Sequence, residues 1–362
     1  MNCYIHIPFC RGKCGYCAFY SEAGAAPQEI AAYLRRLENA VSAMTVDEPL
    51  RTIYLGGGTP TLLDLPQLEK LFDIIFRFDR TDDCEISIEA NPETLTREKL
   101  DLLKRRGVNR ISCGVQSFDP HLRSVLGRQC GQTALERALE LIGETGFPHW
   151  NIDLIYAIPG QTPKAWERDL RRAVEYGIDH LSCYNLTREE GARLSDLAPT
   201  SDDLAVGMWH MAREILAEFG FERYEISNYA RPGGQCRHNV SVWRGGRLLG
   251  LGPAAAGFDG RNRYTHPASL SQWLTGVAAE TDELPRSRRL NEIFAVNLRT
   301  AAGWTPDWWQ QVPQADAWSE RLGAAMQLQQ RFGAKYVSVT PDEIKLSERG
   351  LLFWNSIAES LL

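Results

Sequence analysis

Three cysteines, Cys10, Cys14 and Cys17, fall within Phe9-Cys10-Arg11-Gly12-Lys13-Cys14-Gly15-Tyr16-Cys17, directly after an apolar run. Thiolates at this spacing can hold a four-iron, four-sulfur cluster (4Fe–4S) by three of its corners, whereas a cluster ligated wholly by protein takes four cysteines. The next candidate position, two residues on, is Phe19. One iron is thereby left open to a non-protein ligand, which is where chemistry can occur. The bland alternative is three buried thiols, but Arg11, Gly12, Lys13 and Gly15 make a polar, flexible loop rather than a core strand. Zinc is the better rival, because Cys-x-x-Cys pairs are common in zinc sites. No second Cys/His pair at suitable spacing completes a tetrahedron nearby, which favours the cluster.

Other residues gather the same kind of interest. Gly56-Gly57-Gly58-Thr59-Pro60 follows a strand and lets the backbone approach a ligand closely, offering N–H and C=O groups. It reads equally as a tight strand-to-helix turn, and it lacks the lysine and spacing of a P-loop. Glu89, Gln116 and Asp153 end or interrupt apolar strands. A carboxylate there is costly unless paired, coordinated or facing a cavity. Each could be a satisfied buried group; together on one sheet edge they suit a polar small molecule such as a ribose. His238, in Arg237-His238-Asn239-Val240-Ser241-Val242-Trp243, reads as a loop residue that either ligates an iron or is merely exposed or hydrogen-bonded. Cys236 beside it is a second candidate axial ligand.

The elements that must position these residues alternate. Short apolar runs at Cys3–Ile7, Thr52–Leu55, Glu85–Glu89, Arg110–Val115, Asn151–Ile155 and His180–Tyr184 are separated by amphipathic stretches of helical period. That rhythm predicts βαβ units and a parallel sheet, either a partial barrel or an open doubly wound sheet. The informative residues all follow the carboxyl ends of strands, where sites of such folds lie. After Ser201 come a helix over Asp203–Phe219, a Gly-rich stretch from Gly233 to Gly260, further helices, a short β pair and a final helix over Glu348–Leu361. The domains predicted are 1–200, 201–284 and a winged-helix-like module at 285–362.

The chain has 362 residues and a formal net charge of −6, which argues against broad binding to nucleic acid. No signal peptide and no run of roughly 18 apolar residues is evident. The nine cysteines then fit a reducing cytoplasm better than a disulfide framework.

These pieces in this order resemble the radical S-adenosylmethionine superfamily, marked by the Cys-x-x-x-Cys-x-x-Cys spacing. Within it, Tyr4 to Cys10, Gly56 to Pro60, Gly114 to Phe118 and Asp153 to Ile155 resemble the oxygen-independent coproporphyrinogen III oxidase group. The resemblance implies an α/β fold, a partial (β/α)6 TIM-type barrel. It implies that Cys10, Cys14 and Cys17 hold the cluster, and that S-adenosylmethionine chelates the open iron and is cleaved by one electron to methionine and a 5′-deoxyadenosyl radical. Tyr4, Gly58, Thr59, Glu89, Gln116, Arg128 and Asp153 match the positions expected to line the S-adenosylmethionine pocket. Arg128 enters only through the resemblance.

Two departures point to a branch. Oxidases of the group carry a further cysteine where this chain has Phe19, and an extension ahead of the cluster strand, which here starts at once. Both features resemble a haem chaperone branch, as does Tyr224-Glu225-Ile226-Ser227-Asn228-Tyr229-Ala230. That branch also shows His-Asn-x-x-Tyr-Trp, linked to haem; here Val242 replaces the tyrosine. The resemblance implies a protein that binds haem b through His238 and delivers it to a haem-requiring acceptor, such as a respiratory enzyme at the membrane surface. A flavodoxin or ferredoxin would supply electrons. The alternative is a radical enzyme acting on a tetrapyrrole.

Overall fold

A computed structural model describes residues 1–128, 130–187, 194 and 200–362. Six strands follow the predicted rhythm: β1 (Asn2–Ile7), β2 (Leu50–Gly57), β3 (Arg80–Ala90), β4 (Arg110–Gln116), β5 (His149–Tyr156) and β6 (His180–Asn185). Each pairs in parallel with the next in chain order. Parallel neighbours need long crossovers, supplied here by helices. These are α1 (Pro27–Ser42), α2 (Leu65–Ile75), α3 (Arg97–Arg105), α4 (Pro120–Val125), α5 (Gln132–Thr145) and α6 (Pro163–Glu175).

Local sequence fixes where these helices start. At α2 the Asp64 carboxylate accepts from the Gln67 N–H (2.8 Å), and the Gln67 side chain accepts from the Asp64 N–H (3.0 Å). This reciprocal box satisfies two N–H groups that a helix start would leave unpaired. Thr96 and Thr162 cap α3 and α6 with their hydroxyls.

Side chains along every strand alternate between two faces. Ile5 and Ile7, Ile53 and Leu55, Ile86 and Ile88, Ile111 and Cys113, Ile152 and Leu154, and Leu181 and Cys183 join the helices in one buried apolar core. On the last five of these strands the positions between them, Tyr54, Ser87, Ser112, Asp153 and Ser182, are polar and face a cavity of about 1400 Å³.

Beyond β6 the sequence adds α7 (Asp202–Glu218), β7 (Glu222–Arg223), β8 (Asn228–Ala230), α8 (Arg237–Trp243), β9 (Leu248–Leu251), β10 (Ala256–Phe258), β11 (Arg263–Thr265), α9 (Leu270–Leu274) and β12 (Glu280–Asp282). The sheet order is β12-β11-β10-β9-β1-β2-β3-β4-β5-β6-β8-β7. Among the described residues it stays open, since β1 pairs with β2 and β9 while β6 pairs with β5 and β8. The Gly-rich stretch is more structured than expected. His238 stands on a helix, not in a loop, and Leu248–Leu251 forms a further parallel strand beside β1.

The C-terminal part comprises α10 (Arg286–Asn297), α11 (Pro306–Gln310), α12 (Trp318–Phe332), the hairpin β13 (Val337–Thr340) and β14 (Glu343–Leu346), then α13 (Glu348–Leu352) and α14 (Trp354–Glu359). The expected final helix is broken at Phe353, where Trp354 donates its indole N–H to the Ala295 carbonyl of α10 (2.9 Å). No helix among the described residues is long and apolar enough to cross a membrane.

Candidate functional site

The cysteine loop is seated by backbone. After β1 the short strand Phe9–Cys10 pairs with Glu22–Ala23, closing the loop at its base. Gly15 donates to the Leu126 carbonyl beyond α4 (3.2 Å), fixing its middle. The glycine run clamps the same segment: the N–H groups of Gly58 and Thr59 donate to the carbonyls of Ile7 and Phe9, each at 2.8 Å. A side chain is excluded at Gly58, where a Cβ would lie 2.7 Å from the Phe9 carbonyl oxygen. At Gly57, φ is +104° and a Cβ would meet the His6 ring at 2.5 Å. The expectation that these glycines offer N–H groups to a ligand is therefore corrected. The N–H groups of Gly57, Gly58 and Thr59 are all taken up within the protein.

Cys10, Cys14 and Cys17 all line the cavity and are half-buried. Burial raises the thiol pKa of Cys10 and Cys17 above the ordinary value, and neighbouring thiols add to the rise. Arg128 opposes this for Cys10, and its Nη1 lies 3.8 Å from Cys14 Sγ. Thr59 Oγ1 lies 3.6 Å from Cys10 Sγ. Among the described residues no three His, Cys, Asp or Glu side chains converge on one point as a single metal ion requires. Three separate thiols on one rim suit a group larger than a single ion, such as a cluster held at three corners, with Arg128 offsetting the negative charge of the thiolates. Phe19, at the same rim, is 67% exposed and offers no ligand.

Behind the thiols stand the predicted polar residues. Glu89 ends β3, held by the Tyr54 hydroxyl and the Gly57 N–H, each at 3.0 Å. Burial, then the charge of Asp153, raises its pKa to about 7. Asp153 on β5 accepts from Ser112 (3.0 Å) and Asn151 (2.7 Å), and burial raises its pKa as well. Gln116 adopts φ 72°, in the left-handed region a glutamine rarely visits, at an irregularity in the β4–β5 register. Such strain persists where surrounding structure enforces it, and it is frequent at functional sites. Arg128 donates to the Gly114 carbonyl and so bridges β4 to the cysteine loop.

The structure brings Cys10, Cys14, Cys17, Gly58, Thr59, Glu89, Gln116, Arg128 and Asp153 together on one cavity wall. Tyr4 stands apart from that lining: its hydroxyl bonds His6 Nδ1 (3.0 Å) and its ring lies beside that of Tyr54. His238 is also set apart. It is buried at the opposite ends of the strands, Nδ1 2.8 Å from Thr52 Oγ1, with its ring against Tyr54 at 5.1 Å between centroids. Burial lowers its pKa to about 4, so it is neutral at pH 7. Its neighbours Cys236 and Asn239 do line the cavity. Sequence reasoning missed Tyr54, Ser87, Arg110, Ser112, Asn151 and His180, all on the cavity wall. Their signal was the polar residue at every second position of each strand.

Such a fold, with three cysteines and a carboxylate-lined wall at the carboxyl ends of parallel strands, defines a class. Residues 4–173 match the Radical SAM superfamily. The chain is 38% identical to the Heme chaperone HemW of Mycobacterium tuberculosis (strain ATCC 25618 / H37Rv), over 99% of this chain and 94% of that one. It is 33% identical to the Heme chaperone HemW of Escherichia coli (strain K12), over 100% and 98%. The chain thus belongs to the radical SAM superfamily and, within it, to the family of the HemW proteins. The structure of coproporphyrinogen III oxidase (HemN) from Escherichia coli superposes with a TM-score of 0.85 at 24% identity, covering 99% of this chain and 89% of that one, and shows the shared fold.

Proposed function

We propose that this protein is a haem chaperone that holds a 4Fe–4S cluster at Cys10, Cys14 and Cys17, binds S-adenosylmethionine beside it, and carries haem b to an acceptor haemoprotein. The observation that carries this reading is the near full-length likeness to proteins named Heme chaperone HemW. Phe19 in place of a further cysteine supports it, and the cavity of about 1400 Å³ has room for a cofactor and a tetrapyrrole together. The bound cluster supplies an open iron and one electron for S-adenosylmethionine. The chain's own part is to bind and orient: Arg128 takes up negative charge near the thiolates, while Glu89 and Asp153 accept from hydroxyls. Haem in the cavity would meet α8 at Asn239, next to His238 in the motif.

The test is anaerobic reconstitution followed by iron and sulfide determination, haem titration and transfer to an apo-haemoprotein. Cys10→Ala should abolish the cluster, and His238→Ala should reduce haem uptake while iron content is kept. A protein that takes up no haem overturns the reading. The second reading, radical chemistry on a tetrapyrrole, is favoured by the complete polar wall behind the thiols. It requires 5′-deoxyadenosine and an altered porphyrin in the same incubation.

A further inference from the structure

Two cavity-lining side chains each carry one buried polar atom without a hydrogen-bond partner among the described residues. Arg110 opens β4, and only 4% of its side chain is exposed. Its Nε donates to Glu85 (3.0 Å) and its Nη2 to the carbonyls of Gly234 and Gln235 (3.0 Å each). Its Nη1 has no hydrogen-bond partner among the described residues. Directly across the register on β3 is Ser87, 2% exposed, whose Oγ is also unpartnered. Both residues line the cavity, two positions before the Glu89 and Ser112 level on their strands. Buried polar groups without partners are rare in native proteins, because the lost hydration is not replaced. Two together, in register and on one cavity wall, mark a place for an acceptor.

The neighbouring charges leave that place to an outside group. Glu85 is already occupied, accepting from Arg110 and from the backbone N–H groups of Arg237 and His238. Glu89 and Asp153, further along the wall, have their own donors in Tyr54, Gly57, Ser112 and Asn151. His180 in the same layer is bonded to Asn151 and Tyr224, and the Arg110 charge is among the causes that keep it neutral. The Arg110 charge is therefore felt inside the cavity in spite of its ion pair.

We propose that Ser87 and Arg110 form a carboxylate subsite at the inner end of the cavity, taking one propionate of the tetrapyrrole. The proposal rests on the haem-carrying reading above. A guanidinium N–H pair beside a hydroxyl suits a carboxylate, since charge-assisted hydrogen bonds are the stronger ones.

The experiment is a Soret titration of the full-length, anaerobically reconstituted protein with haem and with its dimethyl ester, in which both propionates are blocked. The expected result is that the unmodified protein binds haem about tenfold or more tightly than the ester. Ser87→Val and Arg110→Gln each bring haem affinity down to that of the ester, leave ester affinity unchanged and keep the iron content. Arg110→Gln strips Glu85 of its cation and can fail to fold, so Ser87→Val, which removes no charge, decides. Equal affinity of the unmodified protein for haem and ester overturns the subsite, as does a preference that survives in Ser87→Val. If neither porphyrin binds, the haem-carrying reading falls and the subsite falls with it.

Discussion

Glu89 concentrates the electrostatics of the site. Its carboxyl titrates near 7 instead of the usual 4.5, because burial and Asp153 disfavour its charge while Tyr54 and the Gly57 N–H favour it. Between these two values the folded protein retains a proton that the unfolded chain has lost. Stability of the cofactor-free protein should therefore fall as pH rises through this window and level off above it. Asp153, raised in the same direction, adds to the fall. Urea midpoints across the window should show a loss of about 3 kcal/mol at most from Glu89, and Glu89→Gln should flatten the curve. Tyr54→Phe removes one donor to the carboxylate, so the fall should extend to higher pH, with S-adenosylmethionine affinity reduced about fivefold at neutral pH. Glu89 and Asp153 were legible in the sequence because a carboxylate in an apolar strand demands a reason. Tyr54 was not, since a tyrosine in a strand is ordinary until its hydroxyl is seen on Glu89.

At the scale of elements, the glycine clamp ties the cofactor wall to the cysteine loop. Gly58→Ala would put a methyl group against the backbone of Ile7 and Phe9. Overpacking of this kind costs roughly 1–3 kcal/mol. The strand ends should shift and reconstituted iron should fall to less than about half, with the far-ultraviolet circular dichroism spectrum retained; full iron loading would contradict the clamp. The six parallel strands and their helices were legible because alternation and helical period are local signals. The helix α8 was not, because its start is stabilised from afar: Glu85 of β3 accepts its first N–H groups, and its own N-cap residue, Cys236, contributes no side-chain bond. A helix capped by a distant strand leaves little trace in its own sequence. The same holds for β9, whose Gly250 and flanking glycines read as loop until β1 supplies its partner.

For the whole molecule, the C-terminal helices are joined to the sheet by an ion pair whose carboxylate is buried. Glu225 is fully buried, and Arg299 meets it at 2.9 Å while lying over the rings of Trp243 and Trp354. Arg299→Met would leave that carboxylate without its cation, costing about 3–5 kcal/mol in urea unfolding. Leu351, Trp354 and Asn355 border the cavity, so the same variant should also release haem faster in a transfer assay. The position of β9 has a consequence for how the protein is made. Its residues, Leu248–Leu251, come late in the chain, yet they cover one side of β1, which leads directly into the cysteine loop. Until the ribosome has delivered them, β1 has an unpaired hydrogen-bonding edge, a template for association with other chains. The strand that bears the cysteine loop leaves the ribosome well before the strand that covers its edge. Chains truncated before Leu248 should therefore aggregate where the full chain does not, and light scattering of the released chains checks this.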